Sequence, residues 1–180
     1  MIDGTLGTGR REGGENKFDL PDIQRRLRRS KEMTPNAETE GKIAKRYQAL
    51  FDMAPHLPAI AERLVKTCRE ALREQGIQTE GRLAAYLVGG RTKNEQPIKP
   101  STDFDIVLVS QFPIEFGEGE DEDRKVRLAD IEVKSAANAY HSYGEHHLVG
   151  TSGVVGIAPL DTFRASKRNA DAILLYSEDI

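Results

Sequence analysis

The sequence predicts a chain that mixes helices and strands in one body, the α+β class, on three observations. Apolar stripes at helical spacing run through residues 37–54 and 58–76. Two compact apolar runs of strand length follow, RLAAYLV at 82–88 and DFDIVLVS at 103–110. A third run, AILLY at 172–176, reads as a closing strand.

Taken in order, residues 1 to about 17 are Gly-rich and polar without periodicity, the pattern of a loosely held segment. The next stretch, LPDIQRRLRRSKE, places Ile23 and Leu27 four apart among Arg25, Arg26, Arg28, Arg29 and Lys31. A phosphate- or nucleic-acid-binding arm is one reading; a short surface helix balanced by Asp19, Asp22 and Glu32 is the favoured one. Residues 1–35 are accordingly expected to be flexible as a segment, and 36–57 to form a helical extension. From about Ala37 the stripe is Ile43, Tyr47, Leu50 and Phe51; Pro55 and Pro58 then break the chain. Pro58 suits the opening of a second helix, with Ile60, Leu64, Val65, Cys68 and Leu72 on one side and Gly76 as its stop.

Between the second and the closing strand the pattern is less decided. GEGEDEDRK reads as an acidic loop or helix start. VRLADIEVKSAANAY reads either as a helix striped by Val126, Ala129, Val133, Ala136 and Tyr140, or as a strand with Ile131 and Val133 inward. HHLVGTSGVVGIAP is a further strand whose glycines suggest a bend or close packing. Asp161 suits the cap of a short helix before AILLY.

Composition excludes several classes. The chain has 180 residues, long enough for one domain with an appendage, and 31% of them are charged. No apolar run approaches the ~20 residues a bilayer crossing needs, and MIDGTLGTGRREGG has no apolar signal-peptide core. A cytosolic setting, with no membrane, is the default expectation. One cysteine, Cys68, rules out an internal disulfide and a multi-cysteine zinc site. A net charge of −3 marks no general polyanion binder.

The chemistry concentrates in YLVGGRTKNEQPIKPSTDFDIVLVS, residues 86–110. Alternate side chains of a strand share a face, so Asp103 and Asp105 project together while Phe104 and Ile106 turn to the core. Two carboxylates ~7 Å apart along the backbone repel each other and converge on a cation, hard oxygen donors favouring Mg2+ or Mn2+. Upstream, Gly89 and Gly90 let backbone N–H groups approach a phosphate, and Arg91 adds a fork of donors. The alternative for the two aspartates is a solvent-facing strand edge where acids oppose aggregation. The cluster His141, Glu145, His146 and His147 matches no metal-site spacing and reads as a polar turn. The early GTG, Gly7 to Gly9, has no preceding strand and carries little meaning. Lys167 and Arg168 suit either phosphate contact or an exposed basic face, and Tyr47, Phe51 and Tyr140 suit the core.

The pattern Val88-Gly89-Gly90, twelve residues, then Asp103-Phe104-Asp105-Ile106 resembles the signature of the nucleotidyltransferase superfamily that includes DNA polymerase β, and more closely its minimal bacterial domains. Arg91 after the glycines and Thr102 before the first aspartate fit that resemblance, as do the feeding helix and the closing LLY strand; the likeness covers roughly residues 58–178. It implies a nucleotidyltransferase-like mixed β-sheet with helices packed on it, over 58–180. It also implies Mg2+- or Mn2+-dependent transfer of an NMP from an NTP, with ATP as the expected nucleotide. The acceptor would be a protein, an RNA or a small molecule, and toxin–antitoxin pairs are among the settings. The family's third metal-binding carboxylate falls to Glu132 if ADIEVK is a strand, with Asp130 as rival. If that segment is a helix, the chain is a two-carboxylate variant. The alternative function is then a degenerate module that holds a nucleotide or a partner protein without turnover. A third reading is a nucleic-acid adaptor led by the arginine segment.

Overall fold

The computed structural model describes residues 16–34, 41–74, 76, 81–89, 96–110, 149–155, 163 and 165–178. Three helices, α1 (Leu20–Glu32), α2 (Lys42–Met53) and α3 (Leu57–Glu74), cover one face of a mixed sheet. Its strands are β1 (Asn16–Lys17), β2 (Leu83–Val88), β3 (Phe104–Ser110), β4 (Val149–Val155) and β5 (Ile173–Ser177), in the order β1-β5-β2-β3-β4. β2 runs antiparallel to both β3 and β5, whereas β4 lies parallel to β3 and the two-residue β1 parallel to β5. This is the α+β class with a mixed sheet that the sequence predicts. Among the described residues no helix is long and apolar enough to cross a membrane.

The strands read as near-continuous apolar runs because both faces of the sheet are covered. On the helix side Leu83, Ala85 and Leu87 of β2 and Phe104, Ile106 and Leu108 of β3 pack with Leu57, Ile60, Leu64, Cys68 and Leu72 of α3. On the other side Ala84 and Tyr86 of β2 and Val107 and Val109 of β3 meet Phe163 and Ala172. The Tyr86 and Phe163 rings lie 4.9 Å apart at a tilt of 43°, a favourable offset geometry.

α3 follows its predicted stripe. Pro58 stands in its first turn, where a missing N–H costs nothing, and Gly76, at φ +70, takes the left-handed position beyond its end and donates to the Arg73 carbonyl at 2.9 Å. Between α2 and α3 the expected break is a single 3-10 turn, Ala54–His56, so the two helices follow with almost no loop.

Two expectations for the N-terminal part need correction. Residues 16–34, placed by the sequence in a flexible segment ending at 35, carry β1 and α1 as parts of the packed body. Ile23 and Leu27 of α1 are each only 1% exposed and join the main core. The spacing of four that marked them was an apolar stripe one residue pair wide, enough to seat a helix whose remaining surface is charged. The arginine run itself is the helix balanced by a nearby acid that the sequence favours, not a basic arm. Asp22 accepts from both Arg25 and Arg26, Arg28 lies 5.3 Å from the Phe51 ring centre, and Lys31 lies 4.5 Å from that of Tyr47. Tyr47 and Phe51, expected in the core, are half-buried instead and form this seam between α1 and α2.

Candidate functional site at the Gly89 turn and the Asp103–Asp105 pair

β2 ends at Val88, which pairs across the sheet with Asp105. Gly89 follows at φ +86, a conformation that a residue with a side chain adopts only under strain. Space makes the same demand. A Cβ built on Gly89 would stand 2.8 Å from Oδ2 of Asp105, closer than real atoms approach. Gly89 and Asp105, sixteen residues apart in sequence, therefore lie side by side, and the positive φ favours glycine at the junction while a Cβ there would push the Asp105 carboxylate aside.

The parity expected of β3 holds. Phe104 and Ile106 are fully buried on the helix side, while Asp105 is half-buried on the other face, and Asp103 stands immediately before the strand, half-buried too. The strand-edge alternative does not hold, because β3 is interior, paired with β2 on one side and β4 on the other. An acid on an interior strand protects no edge. Burial, and after it the charge of Asp103, push the Asp105 carboxyl above its usual range. Among the described residues neither carboxylate has a cationic partner. On β4, Gly150 is the register neighbour of Asp105, so the positions flanking this carboxylate across the sheet are Val88 and a glycine.

The segment entering β3 is tightly fixed. Thr102 donates its N–H to the Lys99 carbonyl at 3.0 Å, and its hydroxyl accepts the Lys99 N–H at 2.8 Å. Thr102 thus holds the turn that delivers Asp103. Arg46 of α2 donates through Nε to the Thr102 carbonyl at 2.6 Å. Four residues earlier the Ile98 N–H is accepted at 2.9 Å by the hydroxyl of Thr34, which donates in turn to the Ser30 carbonyl at the end of α1. Arg46 and Thr34 escaped the sequence reading because neither partner is near in the chain, and nothing local marks an arginine on a polar helix face as bonded to a loop 56 residues away.

Several expected site residues fall outside the described residues: Gly90, Arg91, Asp130 and Glu132, together with the His141–His147 cluster and the Asp161 cap. Among the described residues no three metal-ligating side chains converge. Lys167 is exposed, at the start of a 3-10 turn, Lys167–Asn169.

The donor set nevertheless suits a hard divalent cation. It consists of two like-charged carboxylates that repel each other beside a backbone corner without a side chain. Compared with protein-family models, curated proteins and solved structures, the chain matches none.

Proposed function

We propose that the protein transfers a nucleoside monophosphate from a nucleoside triphosphate to a hydroxyl or phosphate acceptor. Asp103 and Asp105 would hold Mg2+ or Mn2+, and the Gly89–Gly90 turn would receive the triphosphate. The observation that carries this reading is the contact between Gly89 and Asp105, since a positive φ and the missing Cβ bring a backbone corner without a side chain against a carboxylate that has no cationic partner among the described residues. Such a corner suits phosphate oxygens, and such a carboxylate suits the ion that accompanies them. Bound there, the ion would neutralise charge building on the triphosphate. In the reaction the acceptor oxygen bonds to the α-phosphorus, the bond from that phosphorus to the β-bridging oxygen breaks, and pyrophosphate leaves with the electron pair. The hydroxyl proton goes to water. Arg91 and Thr102 extend the nucleotide contacts in this reading, and Glu132 supplies a third carboxylate.

The test is label transfer from α-labelled NTPs, ATP first, with Mg2+ to candidate proteins, tRNA and small-molecule acceptors. Transfer that falls to background in both Asp103→Ala and Asp105→Ala is the expected result. Nucleotide retained without transfer to any acceptor replaces the enzyme with the binding-module reading, and neither transfer nor retention overturns both.

A further inference from the structure

We propose that Arg46 is a positioning residue for the Asp103–Asp105 pair, and that α1 and α2 serve as the jig that sets the first of these acids. The inference rests on the metal-binding role of the two aspartates proposed above, and adds to it the residue outside the motif on which the motif's geometry depends.

The carbonyl that Arg46 holds belongs to the peptide bond joining Thr102 to Asp103. A peptide unit is planar, so a donor fixing that oxygen fixes the plane from which the Asp103 side chain departs. A guanidinium bond to a carbonyl is charge-assisted and stronger than a neutral one. The same residue is held on its other side by the Lys99 carbonyl and through its hydroxyl, so rotation of the Thr102–Asp103 peptide would break the Arg46 bond and disturb the turn.

The second anchor works at the other end of the same short segment. Ile98 is fully buried, and its N–H is answered by Thr34, whose own hydroxyl is tied to the last turn of α1. A buried N–H without an acceptor is costly, which fixes this end firmly. Residues 98–102 are thus pinned by α1 at one end and by α2 at the other, and the first aspartate emerges from the pinned end. β3 carries Asp105 through its ladder to β2 and needs no such help. Asp103 lies just outside the ladder, so its placement depends on these two helices.

The experiment is Mn2+ alone titrated into the full chain and followed by electron paramagnetic resonance, with melting temperature measured on the same samples. The proteins are wild type, Arg46→Met, Arg46→Lys, and Lys66→Ala as an exposed control on α3. Loss of a residue that orients metal ligands typically weakens metal affinity about 10- to 100-fold. Arg46→Met is therefore expected to bind Mn2+ at least about tenfold more weakly than wild type at a temperature where it is fully folded, with Arg46→Lys between the two and Lys66→Ala unchanged. A merely structural role would lower the melting temperature and leave Mn2+ affinity in the folded protein unchanged, and that result overturns the inference while leaving the metal site intact. Wild type that binds no Mn2+ overturns the metal site and the inference with it. Should Arg46→Met not fold, Arg46→Lys and Thr34→Val decide in the same way, with unchanged affinity again the contrary result.

Discussion

Glu178 and Asp105 are both half-buried carboxylates on the sheet, at opposite ends of β2, and their surroundings push them in opposite directions. Glu178, just past β5, faces Arg69 of α3 in an ion pair, and it also accepts the Leu83 N–H at 2.9 Å where β2 begins. Arg69 reaches on to the Gly81 carbonyl at 2.6 Å, and Glu178 N–H closes the corner on the Leu83 carbonyl at 3.0 Å. Although burial opposes it, this set of donors holds the Glu178 carboxyl below its ordinary range. Asp105, where β2 ends, has burial and a second acid as its surroundings, and its carboxyl is pushed up. One end of the strand is a staple in which every group is answered. The other holds two acids that no cation among the described residues answers, the kind of electrostatic cost on which the proposed site rests.

The largest effect on this contrast is expected at Gly89. Gly89→Ala places a methyl group where Asp105 now lies and forces it into the left-handed region. Displacing a reacting group by about an ångström costs on the order of a hundredfold in rate, so the proposed label transfer should fall by about that factor while the sheet, followed by circular dichroism, stays intact. Full activity in Gly89→Ala would separate the turn from the acids.

Next comes Glu178→Gln, which leaves Arg69 part-buried without its counter-ion. Breaking such a pair should cost roughly 2 kcal/mol of stability at pH 7, measured by urea unfolding. The pH dependence follows from the direction of the shift. With the folded value below the ordinary 4.5, the contribution of Glu178 is complete above that pH and is lost as pH falls through the lowered folded value. Wild type should therefore lose stability in acid, and Glu178→Gln should lose less over the same range. Parallel acid profiles for the two proteins would remove Glu178 from the account.

The smallest effect has the opposite sign. Asp105→Asn removes a partly buried charge and, after that, its repulsion from Asp103, and should raise the stability of the metal-free protein by ~0.5 kcal/mol, a modest gain because water still screens a half-exposed carboxylate. Its raised folded value also means that acid relieves the cost as pH falls, so the gain should shrink in acid. A loss of stability at neutral pH would show that the carboxylate serves the fold after all.

What the residues revealed in advance follows from how local each signal is. The stripe of α3, the apolar runs of β2, β3 and β5, and the glycine after Val88 are each written within one segment, and each stands where the sequence put it. The placement of the two acids was legible for the same reason, since Asp103, Phe104, Asp105 and Ile106 encode their own alternation. Pairings across long separations leave no such trace. Nothing near Arg69 announces Glu178, 109 positions away, and nothing near Ile98 announces Thr34, 64 positions back. The burial of α1 was hidden because two apolar residues among five cations look like a solvated face until Asp22, Phe51 and Tyr47 are seen to occupy the charges.

The short strand β1 has a bearing on handling the protein. Asn16 and Lys17 lie along the outer margin of β5 beside Ile173 and Leu174, with Phe18 N–H donating to the Leu174 carbonyl at 3.1 Å, so the first part of that border is already taken. Trimming the polar head of the chain past position 15 would strip this cover and offer a row of open donors and acceptors to any neighbouring copy, an invitation to strand-by-strand assembly.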